Sequence, residues 1–213
     1  MAGYSFRDQQ VEASQANSQS PKAQGSIATS CIPSKTATSS VLSTKAMIVL
    51  GLVFNLYWAV AVLGQSQWVV ALVIMLVTAW ALFPGSARFS LLLGGIGIGM
   101  DFLLIQAGVL AFDAEGMPLW LVLLWLGFAS FVWIMRSRLL VMPYWLLGLI
   151  GSLGGAMSYL AGYRFDAVSL PYGIELSGLV LLLCWGLFTF VAIGLLTTVN
   201  RLFGGRYAKP FRF

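Results

Sequence analysis

The chain has 213 residues, 59% of them hydrophobic and 9% charged, with a net charge of +5 and no histidine. A typical soluble domain carries roughly 25% charged residues, so this chain lacks the polar surface to cover a soluble particle. Without histidine there is no imidazole base, no Ser-His or Cys-His pair, and none of the commonest zinc ligand; no cofactor or metal motif stands in its place.

Residues 1–44 read as a disordered polar tail rich in Ser, Thr, Ala, Gln and Lys, without apolar periodicity. No apolar h-region precedes Met47, which argues against a secretory signal. Cys31 lies in this tail and Cys184 in an apolar block, so two unpaired thiols are expected.

The apolar blocks that follow predict an all-α, polytopic transmembrane helical bundle of about six spans, a membrane domain over residues 45–200. The spans run near Ala46–Leu63, Trp68–Phe83, Ser90–Phe112, Pro118–Met135, Pro143–Gly162 and Ile174–Leu196, the second being the shortest. The blocks are apolar on both strand parities, which excludes a transmembrane barrel. Residues 201–213 alternate basic and aromatic side chains, as a cytoplasmic tail lying on an anionic leaflet would.

The charges orient the bundle. With the N-terminus inside, inner segments collect Arg7, Lys22, Lys35, Lys45, Arg88, Arg136, Arg138, Arg201, Arg206, Lys209 and Arg212, leaving only Arg164 outside. The outer loops collect Asp113, Glu115, Asp166 and Glu175. This segregation predicts an N-in, C-in, multi-pass protein of the cell inner (plasma) membrane. Trp68, Trp120, Tyr144, Trp145, Tyr163 and Tyr172 fall near span ends, where amphipathic rings anchor at the interface. The basic residues flank spans and form no stripe with interleaved aromatics, which argues against nucleic acid as a partner. Membrane lipid is the expected partner, with a membrane protein or a second copy of the chain also open.

One ionisable residue stands deep in a span. Asp101 is the midpoint of Ser90–Phe112, and helical spacing places Gly94, Gly97 and Gly108 on its face. An intramembrane acid is costly, so two readings stand: a proton-accepting or substrate-binding carboxyl, or a neutral acid bonded to a neighbouring helix to fix packing. Asn55, Ser152, Ser130, Cys184 and Thr189 are polar groups within the spans and candidate partners. A cluster of Asn55 with Asp101 would favour function. Tyr159 falls toward the outer end of its span, which sets it apart in depth from a central Asp101. Gly148, Gly151, Ser152 and Gly155, spaced by three and four, form a small-residue seam for close helix packing. Arg164, the lone outer base, is either a site for an acidic group or a solvated or ion-paired side chain.

These residues together resemble the DUF2878 family of uncharacterised bacterial membrane proteins, over roughly residues 54–173. The resemblance is carried by Gly99-Met100-Asp101 with Gly108-Val109-Leu110-Ala111-Phe112, by Pro118-Leu119-Trp120 with Leu124-Trp125, and by Gly154-Gly155-Ala156-Met157-Ser158-Tyr159-Leu160-Ala161-Gly162. The chain departs from the family where an Asn-His pair is common, at Phe131-Val132-Trp133, and at Ala156, where a proline is common. The resemblance implies a small integral membrane protein of unknown activity, set among genes for fatty-acyl modification. The leading expectation is an accessory or scaffold protein of envelope or lipid metabolism, which needs no catalytic set. A small proton-coupled transporter using Asp101 and an intramembrane lipid-modifying enzyme are the alternatives.

Overall fold

Backbone groups inside hydrocarbon must be paired within their own segment, and the chain meets that demand with helices. The computed structural model describes residues 43–113 and 116–203, so the expectations for residues 1–42, Glu115 and residues 204–213 lie outside the described residues. The helices are α1 (Thr44–Gly64), a 3₁₀ turn (Gln65–Trp68), α2 (Val69–Leu82), α3 (Ser86–Gln106), α4 (Leu119–Leu139), α5 (Tyr144–Arg164) and α6 (Gly173–Phe203). Ser43 caps α1, its Oγ accepting from the Ala46 amide at 3.2 Å.

Five helical runs are long and apolar enough to cross a membrane, the first being the 39-residue run Thr44–Leu82. Straight, that run would extend about 59 Å, some twice the hydrocarbon thickness. It is broken at Gln65, whose φ of 42° and ψ of −127° reverse the chain, and both limbs then pack on α4. From α1, Tyr57 donates to the Leu123 carbonyl at 2.7 Å and Phe54 stacks on Phe131. From α2, Trp80 Nε1 donates to Ser130 Oγ at 3.0 Å. The about-six-span bundle is therefore present as five runs, one of them a hairpin.

The third span is shorter than its hydropathy. α3 ends at Gln106 rather than continuing to Phe112. Gly108, with φ of 71°, takes the left-handed conformation; its amide caps the Ile105 carbonyl and the Val109 amide caps that of Leu104, both at 2.9 Å. That is the Schellman stop, with Leu104 and Val109 both buried beside it. Gly108 is thus a helix terminator, and the expectation that it lies on a helix-packing face is corrected. The residues beyond stay apolar because Val109 and Leu110 turn back into the core.

The helices pack in two groups. α4 is the centre of the first, covered by α1, α2 and α3; α5 and α6 pair as the second. Between the groups α3 and α6 come closest by backbone, and much of the seam is filled by aromatic rings. Trp125 of α4 stacks on Trp185 of α6 at 5.1 Å, and Phe128 and Phe188 pack edge-on around them. Two loops close one end: Ala111 and Ser169 exchange backbone hydrogen bonds of 3.0 and 2.8 Å. Asp113, Arg164, Asp166 and Glu175 lie at this acidic end, and Lys45, Arg88, Arg136, Arg138 and Arg201 at the helix termini of the opposite, basic end.

A side chain at Gly108 would have to hold a left-handed backbone, at about 1–2 kcal/mol. Gly108→Ala should therefore lower the thermal midpoint of the detergent-purified protein, while Gly95→Ala, where a Cβ meets nothing within 4 Å, leaves it unchanged or raises it. Equal midpoints for the two variants would contradict the terminator role.

Candidate functional site

Asp101 is completely buried. It lies five residues before the end of α3, as Tyr159 lies five before the end of α5, and Trp125 lies six after the start of α4. Each is thus about 8–9 Å of helix rise from the acidic end, and the three side chains meet. Trp125 Nε1 donates to Asp101 Oδ2 at 2.7 Å and the Tyr159 hydroxyl donates to the same oxygen at 2.5 Å. The separation in depth expected from the sequence is corrected: it came from carrying α3 on to Phe112. Asp101 Oδ1 is buried and unpartnered. Both donors are neutral, so the carboxyl is held by dipoles rather than by a cation.

Two glycines make this approach geometrically open. A Cβ at Gly97 would land within the Trp125 ring, and one at Gly155 within the Trp185 ring. Each indole therefore occupies the space a side chain would take on the facing helix. Gly94 accommodates Leu126, Gly151 accommodates Thr189, and a Cβ at Gly148 would stand 3.1 Å from Phe190, so these five glycines are close-packing positions.

The other polar groups do not join Asp101. Asn55 is exposed and donates to its own helix, to the Gly51 carbonyl at 2.9 Å. Ser152 donates to the Leu182 carbonyl at 2.6 Å, tying α5 to α6. Ser130 and Thr189 donate within their own helices to Leu126 and Trp185, and Cys184 is a half-buried free thiol. Arg164 is an exposed residue at the last position of α5. Among the described residues there is no group of three or more acidic or sulfur ligands that could hold a metal ion.

A cavity of about 720 Å³ opens between α1 and α5, with α4 as its floor. Phe54, Leu121, Leu124, Phe128, Ile150 and Met157 are among its apolar walls. α1 and α5 are not closely packed on each other; Trp58 Nε1 crosses the gap to Ser158 Oγ at 2.9 Å. Asn55, Tyr159, Trp125 and Trp185 also border the space, whereas Asp101 stands behind Trp125 and Tyr159 and does not. The donors of Trp58, Trp125 and Tyr159 are all engaged within the protein, so the walls they present are mainly ring faces.

Reading the sequence for ionisable residues found Asp101 and missed its indole partner. Trp125, Trp185 and Trp58 carry the site, and the available signal was their position well inside apolar spans, away from the interface that tryptophan favours. Trp120, read as an interface anchor, is 5% exposed and packs inside, while Trp68, Tyr144, Trp145 and Tyr172 are each more than half exposed.

The fold and site define a polytopic α-helical membrane protein with a buried carboxyl behind an apolar cavity. Within that class, the family model of a protein of unknown function (DUF2878) matches residues 47–191, and the chain belongs to that family. No curated protein and no solved structure matches the chain.

Replacing Asp101 separates charge from hydrogen bonding. Both donors converge on one oxygen, so the amide oxygen of Asp101→Asn can accept both while its amino group takes the unpartnered Oδ1 position, and the loss of stability should be smaller than for leucine. Asp101→Leu strands the Trp125 and Tyr159 donors, each at about 1–3 kcal/mol. A double-mutant cycle with Tyr159→Phe should show a coupling of about 0.6–1.7 kcal/mol in denaturant titrations. A coupling of zero would mean that the contact adds nothing to the fold.

Proposed function

We propose that this protein is a lipid-binding accessory protein of envelope or lipid metabolism, which holds one apolar chain between α1 and α5. The cavity carries this reading. It is lined mainly by apolar side chains, runs about 17 Å along α1 from Gly51 to Val62, and borders exposed apolar residues such as Ile150 and Met157, from which a chain can enter sideways out of the bilayer. At roughly 30 Å³ per methylene, about the share of a water molecule in the liquid, a volume of about 720 Å³ matches about 24 methylenes, room for one long apolar chain and not for two. The charge segregation supports an N-in, C-in arrangement in the inner membrane. Such a role is compatible with a membrane-protein partner or a second copy and requires no cofactor.

One observation favours a second reading, an intramembrane enzyme acting on the bound lipid. Tyr159 borders the cavity while its hydroxyl is bonded to Asp101, an arrangement suited to general acid–base work. If this holds, Tyr159→Phe retains lipid binding and abolishes any change in the bound lipid followed by mass spectrometry. Asp101 is enclosed on all sides, which suits a carrier less well.

Four tryptophans border the cavity, so a chain brominated at mid-length should quench intrinsic fluorescence with a saturable component above the linear background from surrounding lipid. A Cβ at Gly51 or Gly154 meets nothing within 4 Å, and both residues line the cavity. The Gly51→Leu/Gly154→Leu variant should fold and weaken the saturable component at least tenfold, whereas Gly95→Leu, on a lipid-facing surface, should not. An unaltered isotherm in the double variant would refute the cavity as the lipid site.

A further inference from the structure

The apolar cavity is bordered by an amide whose oxygen is free. Gly51, Phe54, Asn55, Trp58 and Val62, spaced by three and four, are the face of α1 that lines the space. No charged residue borders it, and among the described residues lining it Asn55 alone carries a side-chain amide. One N–H of that amide donates to the Gly51 carbonyl, a turn back along the helix, at 2.9 Å. The amide oxygen receives a hydrogen bond from no described residue. Asn55 stands near the middle of α1, nine residues before its end, which is about 14 Å of helix rise from the acidic end. Lipid headgroups at the interface do not reach that depth, and plain hydrocarbon chains have no proton to donate. An amide oxygen without a donor in such surroundings costs free energy.

We infer that Asn55 is a specificity-determining residue, and that the chain held in the cavity carries a hydroxyl partway along its length that donates to Asn55 Oδ1. This rests on the lipid-binding reading and specifies its ligand. A hydroxyl both donates and accepts, so one such group serves the free oxygen and the second N–H of the same amide. A charged substituent has no counter-ion in the lining, and an unsubstituted chain leaves the amide unserved. Gly51 supplies room beside it, since a Cβ there would meet nothing within 4 Å. The other polar side chains at this depth are already engaged: Trp58 Nε1 on Ser158, and the Tyr159 hydroxyl and Trp125 Nε1 on Asp101. A site that offers a hydrogen bond to a hydroxyl discriminates against the analogue lacking it, because the site's own polar group is then left unpaired.

The test uses the full chain in neutral detergent and competition against the saturable brominated probe. Monoolein and monoricinolein share head, chain length and double bond, and differ by one mid-chain hydroxyl. Monoricinolein should displace the probe from the wild type about fivefold more effectively than monoolein, as one net hydrogen bond provides. In Asn55→Leu that ratio should fall to about twofold or less, with displacement by monoolein retained or strengthened. Partitioning of the two competitors into detergent is common to both proteins, so the change in ratio reports the site. Asn55 is exposed and its hydrogen bond is to its own helix, so leucine there should leave the fold intact. A wild-type ratio no larger than that of Asn55→Leu, including an equal loss of both competitors in the variant, would overturn the role of Asn55 while leaving the chain site standing. A probe with no saturable component sensitive to Gly51→Leu/Gly154→Leu would remove both readings together.

Discussion

The two groups of helices meet through rings and one carboxyl. Between the groups α6 and α3 come closest by backbone, and much of the remaining join is Trp125 on Trp185, Phe128 and Phe188, with Asp101 receiving a hydrogen bond from each side. In hydrocarbon there is little hydrophobic drive to bring helices together, so packing and interhelical hydrogen bonds have to do it. Asp101 accepts from Trp125 in its own group and from Tyr159 in the other. Remove that oxygen and two buried donors lose their acceptor at the seam. Gly97 and Gly155 follow the same logic, because the indoles of Trp125 and Trp185 fill the space that a side chain at either position would need.

The cavity is a consequence of how that seam is filled. Rings bridge α4 to α6, while α5 is left apart from α1, so a gap persists above α4 and is crossed at Trp58 and Ser158. A seam of small residues throughout would have brought α1 and α5 together and left no room. The carboxyl and the cavity therefore belong to one design, in which the wall of the chamber is also the shell around Asp101.

Much of this was legible in the sequence. The multi-span helical bundle followed from apolar block length, and the ends of the bundle from the segregation of acids and bases. Asp101 was conspicuous because an acid inside an apolar block is rare. The errors share a cause in hydropathy, which measures burial and not helix. Residues 109–112 are apolar because they turn back onto the core, so the third span was drawn six residues too long. That displaced Asp101 toward the midplane and set Tyr159 out of its reach. By spacing Gly108 is one more small residue on a glycine-rich face, but its backbone conformation ends the helix. The cavity was not legible at all, since it depends on which pairs of helices fail to touch, and no local pattern records that.

The hydrogen bonds of Asp101 also have an order in time. Its donors follow it in the chain by 24 and 58 residues, so at synthesis the acid reaches the membrane before either of them. α3 must be accommodated with that oxygen unserved until α4 follows it and must wait for the whole of α5 before the second donor arrives. A nascent chain interrupted between residues 106 and 159 thus presents an incompletely satisfied acid within the bilayer, a feature by which quality-control machinery can tell an unfinished bundle from a finished one.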